Sequence, residues 1–73
     1  MTEFESGAMV AIATLNAVYG QPSMCANTII ELGLGGTDCS DLSDFDRESL
    51  AKINVELPEA IKLKGVNPQP SGD

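Results

Sequence analysis

From Ala8 to Tyr19 the chain runs twelve residues without a charge, interrupted only by the polar side chains Thr14 and Asn16. A bilayer span needs roughly 20 apolar residues, so this stretch is too short to cross one. It is rich in Ala rather than in β-branched residues, which favours helix over strand. Thr2 and Glu5 have capping-box spacing just ahead of it. Gly20 followed by Gln21-Pro22 stops it. Met9, Ile12, Leu15 (or Asn16) and Tyr19 share one stripe, with Ala8, Ala11 and Val18 beside it. A helix apolar on most faces must be covered on most faces. In a chain of 73 residues little polypeptide is left for that task, because small domains bury a smaller share of their surface. Self-association or a partner groove is therefore expected.

The remaining segments read as shorter helices. Ser23 is placed to cap a second one, Met24 to Leu32, closed by Gly33, with Leu34-Gly35-Gly36 as a flexible connector. A third begins near Ser40 or Ser43, where Asp41, Asp44 and Asp46 suit the positive end of a helix. Its apolar positions are Leu42, Phe45 (or Asp46), Leu50, Ile53 and Leu57. Glu48 and Lys52 add an i, i+4 pair. Pro58 breaks this helix. Residues 58–65 then fit one or two further helical turns, with strand as the competing reading over 53–64, because Ile53-Asn54-Val55-Glu56-Leu57 and Ile61-Lys62-Leu63 alternate with period two. The expectation is all-α: a compact bundle of three to four short helices, a single domain over residues 1–65, and a disordered, proline-broken tail over 66–73.

Charge narrows the partners. Four basic residues stand against eleven acidic ones, a net charge of −7. No basic residue precedes Arg47, so the first two-thirds of the chain carries the imbalance. Nucleic-acid binders neutralise phosphates with Lys and Arg. Direct nucleic acid is thus excluded as a partner, as is a helix-turn-helix reading around Gly20, whose second helix has no cation. The acidic Met1–Glu5 start lacks the basic region of a signal peptide. With Cys25 and Cys39 read as reduced thiols, although one bridge is possible, the expected location is cytoplasmic.

Catalytic or metal chemistry finds little to work with. There is no His, which removes the neutral-pH proton shuttle and the commonest metal ligand. The stretch from Thr37 to Glu48 is dense in acids, but it lacks the glycine and the acid spacing of a calcium loop. Two cysteines without His or further ligands make neither a nucleophile pair nor a zinc site. Cys39, close to a helix start, is expected to be the more reactive of the two thiols if either is exposed. No enzyme activity, cofactor or metal is expected. Acids spaced along a helix can also imitate DNA phosphates, and Glu31, Asp38, Asp41, Asp44, Asp46 and Glu48 would supply that charge.

Two resemblances add expectations. Length, acidity and the segment Asp38-Cys39-Ser40-Asp41-Leu42 resemble the acyl carrier proteins, acidic four-helix bundles whose Asp-Ser-Leu serine takes a phosphopantetheine arm. That resemblance implies Ser40 as the carrier serine, with the triplet interrupted here. In size and charge the whole chain resembles the small acidic accessory proteins of temperate bacteriophages, which implies a host or phage protein as target. The reading that results is a non-enzymatic interaction protein whose partner is a second copy (a homodimer) or a basic protein, with no membrane contact. Met9, Ile12, Leu15 and Tyr19 would supply the apolar contact. Asp38, Asp41, Asp44, Asp46 and Glu48 would supply charge complementarity.

Overall fold

A computed structural model describes residues 1–66 as three helices, α1 (Glu3–Tyr19), α2 (Pro22–Glu31) and α3 (Asp44–Asn54), packed pairwise around one core. The all-helical expectation is met, with three helices rather than four. Thr2 caps α1 through the full reciprocal box, the Glu5 N–H donating to Thr2 Oγ1 at 3.1 Å and the Thr2 N–H to Glu5 Oε1 at 2.8 Å. Gly20 ends the helix in the left-handed region at φ 62°, a conformation that costs any residue with a Cβ.

The inward face of α1 is Met9, Ile12, Ala13 and Asn16. Where the sequence left Leu15 and Asn16 as alternatives, Asn16 is the one turned in. α3 resolves the same way: Asp46, Ser49, Leu50 and Ile53 are buried, and Phe45 is exposed. Met9, Ile29, Leu50, Ile53 and Ile61 are the largest wholly enclosed apolar side chains.

Four local expectations change. α2 begins two residues earlier than the Ser23 cap implied. Pro22 occupies its first turn, where a missing N–H is harmless, and Gln21 provides no side-chain cap. Ser23 instead donates to Glu56 Oε1 at 2.8 Å. Residues 61–64 are extended, not helical. Leu34-Gly35-Gly36 is no loose connector, because Leu34 is buried and the segment after it pairs with that extended stretch. Lys62 N donates to Gly35 O at 2.8 Å, Lys64 N to Thr37 O at 3.0 Å, and Cys39 N to Lys64 O at 2.7 Å. The pairing is a single parallel bridge, Asp38 with Lys64. Period-two alternation explains it, since Ile61 and Leu63 enter the core while Lys62 and Lys64 stay in solvent. Finally, Arg47 of α3 pairs with Asp44 one turn back, in place of the expected Glu48–Lys52 pair. Of the tail expected over 66–73, Val66 packs against the core, and residues 67–73 lie outside the described residues.

Candidate protein-interaction surface

Two sides of α1 have different fates. Packing against α2 and α3 hides Met9 and Ile12 completely or nearly so. The opposite side keeps Phe4 66%, Leu15 49%, Val18 64% and Tyr19 68% exposed, and Met24 of α2 joins them at 62%. The four apolar positions expected to meet a partner are therefore divided. Met9 and Ile12 belong to the chain's own core, whereas Leu15 and Tyr19 face solvent. Phe4, Val18 and Met24 were not singled out as contact residues, yet they are among the most exposed apolar groups. A signal for them existed in the alternation of faces along the helix: once Asn16 points inward, Leu15 and Val18 must point away. From Ser6 to Ile30 no residue is charged, so this side of α1 and α2 presents apolar and neutral polar groups alone.

A groove of about 290 Å³ lies between α1 and α2, lined by Ile12, Leu15, Tyr19, Met24, Cys25 and Thr28. Its walls are mostly hydrocarbon, and its rim is the exposed pair Leu15 and Tyr19. A larger, more polar cleft of about 490 Å³ opens between α1 and α3, where Asn16, Phe45, Glu48, Ser49 and Lys52 meet.

The acidic stretch is less uniformly available than its sequence suggests. Asp46 is buried and serves α3 itself: its N–H donates to Ser43 Oγ at 3.2 Å, and Ser43 Oγ donates to Asp46 Oδ2 at 3.0 Å. Asp44 is tied to Arg47. Asp38 Oδ1 accepts from Ser40 Oγ at 2.7 Å and from the Ser40 N–H at 3.0 Å. These bonds, with the Lys64 charge nearby, hold the Asp38 carboxyl below its ordinary range. Asp41 and Glu48 are exposed.

Ser40 sits in the turn before α3, whose N-cap is Ser43, so it does not stand at a helix start as the carrier resemblance implied. Neither cysteine meets the exposure on which the expected reactivity of Cys39 depended. Removed from any helix terminus, its thiol is fully enclosed, and burial, with the Asp38 charge adding to it, pushes the pKa up to about 11. Cys25 is also buried, its thiol 3.7 Å from Ile12 O, and burial raises its pKa as well.

Among the described residues no three His, Cys, Asp or Glu side chains converge to hold a metal, and no helix is long and apolar enough to cross a membrane. Comparison with family models, curated proteins and solved structures finds no match to this chain. Geometry and chemistry alone carry the functional reading.

Proposed function

We propose that this chain is a non-catalytic interaction module that works by docking onto protein. The observation that carries the reading is the uncharged outer side of α1, where Phe4, Leu15, Val18 and Tyr19 stand in solvent on a rigid, well-capped helix. Contiguous apolar surface of this kind marks contact sites in proteins that remain soluble. The chain's net charge of −7 opposes indiscriminate association, so any pairing has to be carried by a specific apolar contact. Asp41 and Glu48, on a different part of the molecule, offer a second and purely electrostatic contact for a basic protein, such as a phage accessory protein would meet in its host.

The test uses the full chain and its Leu15→Glu and Val18→Glu variants. Sedimentation measures self-association, and affinity capture from lysate at low and high salt measures binding to other proteins. The reading requires mass growth or a captured protein that both variants lose. It falls if the wild-type chain stays monomeric and captures nothing the variants do not.

A further inference from the structure

The outer side of α1 has a period that its inner side lacks. Met1, Ala8 and Leu15 recur every seven residues, and so do Phe4, Ala11 and Val18, the two series interleaving at steps of three and four. This is the a and d pattern of a two-helix seam. Among the described residues the seam stays uncovered: Met1, just ahead of the helix, and Phe4, Ala11, Leu15 and Val18 are exposed, and Ala8 is half-buried at its edge. Large side chains occupy both ends of the seam, and two alanines occupy its centre.

We infer that this seam pairs antiparallel with the same seam of a second copy of the chain, each Phe4 seated against the partner's Leu15. The inference rests on the proposed docking role and names its partner. In this register Phe4 faces the partner's Leu15, Ala8 faces the partner's Ala11, and Met1 faces the partner's Val18. Exchanging the two copies returns the same set of pairs, as a two-fold axis requires. The alanines meet at the axis, where small side chains let helices approach to the short end of the usual 8–10 Å range. The groove of about 290 Å³ beside Leu15 then receives the ring of the partner's Phe4, an aromatic group that the described residues leave mostly in solvent.

The residues of the seam are themselves uncharged, and from Ser6 to Ile30 no residue carries a charge, so its centre and far end favour an equally apolar face; Glu3 and Glu5 flank Phe4 at its near end alone. Charge selects the orientation. A parallel pair would set Glu3 and Glu5 of one copy beside the same residues of the other and align the two helix dipoles. The seam covers about four turns, which places the dimer at the small end of specific interfaces, about 1,200 Å² in total. Contacts at this small end are commonly weak and transient, so the association is sought in the micromolar range.

Sedimentation equilibrium of the purified full chain across the micromolar range, read with oxidative cross-linking, tests this. The expected result is a monomer–dimer equilibrium that tightens as salt is raised, since salt screens the repulsion between two chains of net charge −7. Leu15→Glu and Val18→Glu, both at exposed positions and checked for unchanged helix content, weaken it by at least about tenfold. Phe4→Cys chains mixed with Leu15→Cys chains cross-link on oxidation, while neither variant cross-links efficiently alone, and wild type, whose cysteines are buried, does not. A Phe4→Cys chain that cross-links readily to itself would establish a parallel seam and overturn the register. A dimer indifferent to both Glu variants would place the contact elsewhere and overturn the face. A monomer throughout overturns self-pairing, and loss of a captured lysate protein in the same variants would then leave the docking role standing with a different partner.

Discussion

Asn16 of α1 gives its side-chain amide to both the carbonyl and the hydroxyl of Ser49 on α3, each at 3.3 Å, across a gap of 33 residues in sequence. Ser49 Oγ passes the bond on by donating to Ala13 O at 2.7 Å. The two helices are thereby locked in rotation as well as in contact, which fixes the side of α1 that remains outside. One group in this cluster has no partner, the buried Asn16 Oδ1.

Ser49→Ala is expected to cost about 0.5–1.5 kcal/mol, because it removes the hydroxyl that donates to Ala13 O and one of the two acceptors of the Asn16 amide, while the Ser49 carbonyl remains. Asn16→Leu costs less, because it removes an acceptor that is already buried and unpaired while retaining side-chain volume. Urea unfolding of the two variants checks the order. If Asn16→Leu proves the more destabilising, the pair contributes more than the orphaned oxygen takes away.

The sequence made α1 legible almost to the residue, because its caps are local: Thr2, Glu5 and Gly20 act on backbone groups within one turn. Rotation of the helices was not legible. At two places the spacing allowed either an apolar or a polar residue inward, Leu15 or Asn16, and Phe45 or Asp46. Both times the polar one is inside, for different reasons: Asn16 meets Ser49, 33 residues away, which only the assembled fold supplies, whereas Asp46 meets Ser43, the cap residue three positions before it. Hydrophobic periodicity contains no information about such partners. The same rotation moved Met9 and Ile12 from the expected contact face into the core. The extended stretch at Ile61–Lys64 stood as the competing reading, on its period-two alternation, because the hydrogen bonds that decide for it run to residues 35–39.

Gly65 is where the extended stretch meets the turn before α3. Its φ is +73°, and a Cβ there would come within 2.6 Å of Ser40 N and 2.7 Å of Ser40 Cβ. Gly65→Ala must bear left-handed strain and displace backbone at once, so a loss of at least about 2 kcal/mol is expected. Gly7 is the contrasting case, a helical glycine with open space around the position of its missing Cβ. Gly7→Ala should stabilise by about 0.5–1 kcal/mol. Thermal unfolding of the two variants reads both signs in one experiment.

Cys39 sets an alkaline limit on the fold. Its pKa in the folded chain is raised to about 11, above the roughly 8.5 of a free thiol. The folded state therefore holds this proton more tightly than the unfolded state. The resulting stability is fully present below about pH 8.5 and is lost as pH rises toward 11. Cys25, also raised by burial, acts in the same direction. A Cys39→Ala chain is expected to show a flatter decline of unfolding free energy across that window, despite a lower starting value from the cavity. Thiol labelling at pH 8 should be slow for both native cysteines and should accelerate only with unfolding. Rapid labelling of Cys39 in the folded chain would contradict its enclosure.

Asp46 and Asp41 look equivalent as acids in the sequence, and the structure separates them. Asp46 is buried and completes a reciprocal cap with Ser43 at the start of α3, whereas Asp41 is exposed in the preceding turn. Asp46→Ala is expected to destabilise by about 0.5–2 kcal/mol, the range for losing a helix cap, and Ser43→Ala by a similar amount. The double variant should cost less than the sum of the two, since the Ser43 Oγ–Asp46 Oδ2 bond is lost in either, while the cap bond from the residue 46 N–H is lost only with Ser43. Asp41→Asn should leave stability within about 0.5 kcal/mol of wild type. Any contact with a basic protein would reverse this ranking: Asp41→Asn and Glu48→Gln would weaken it and steepen with lower salt, while Asp46 would matter only through the fold. Denaturant titration of the Ser43 and Asp46 cycle, set beside salt-dependent binding of the Asp41 and Glu48 variants to a basic peptide, therefore tells an acid that builds the helix from one that meets a partner.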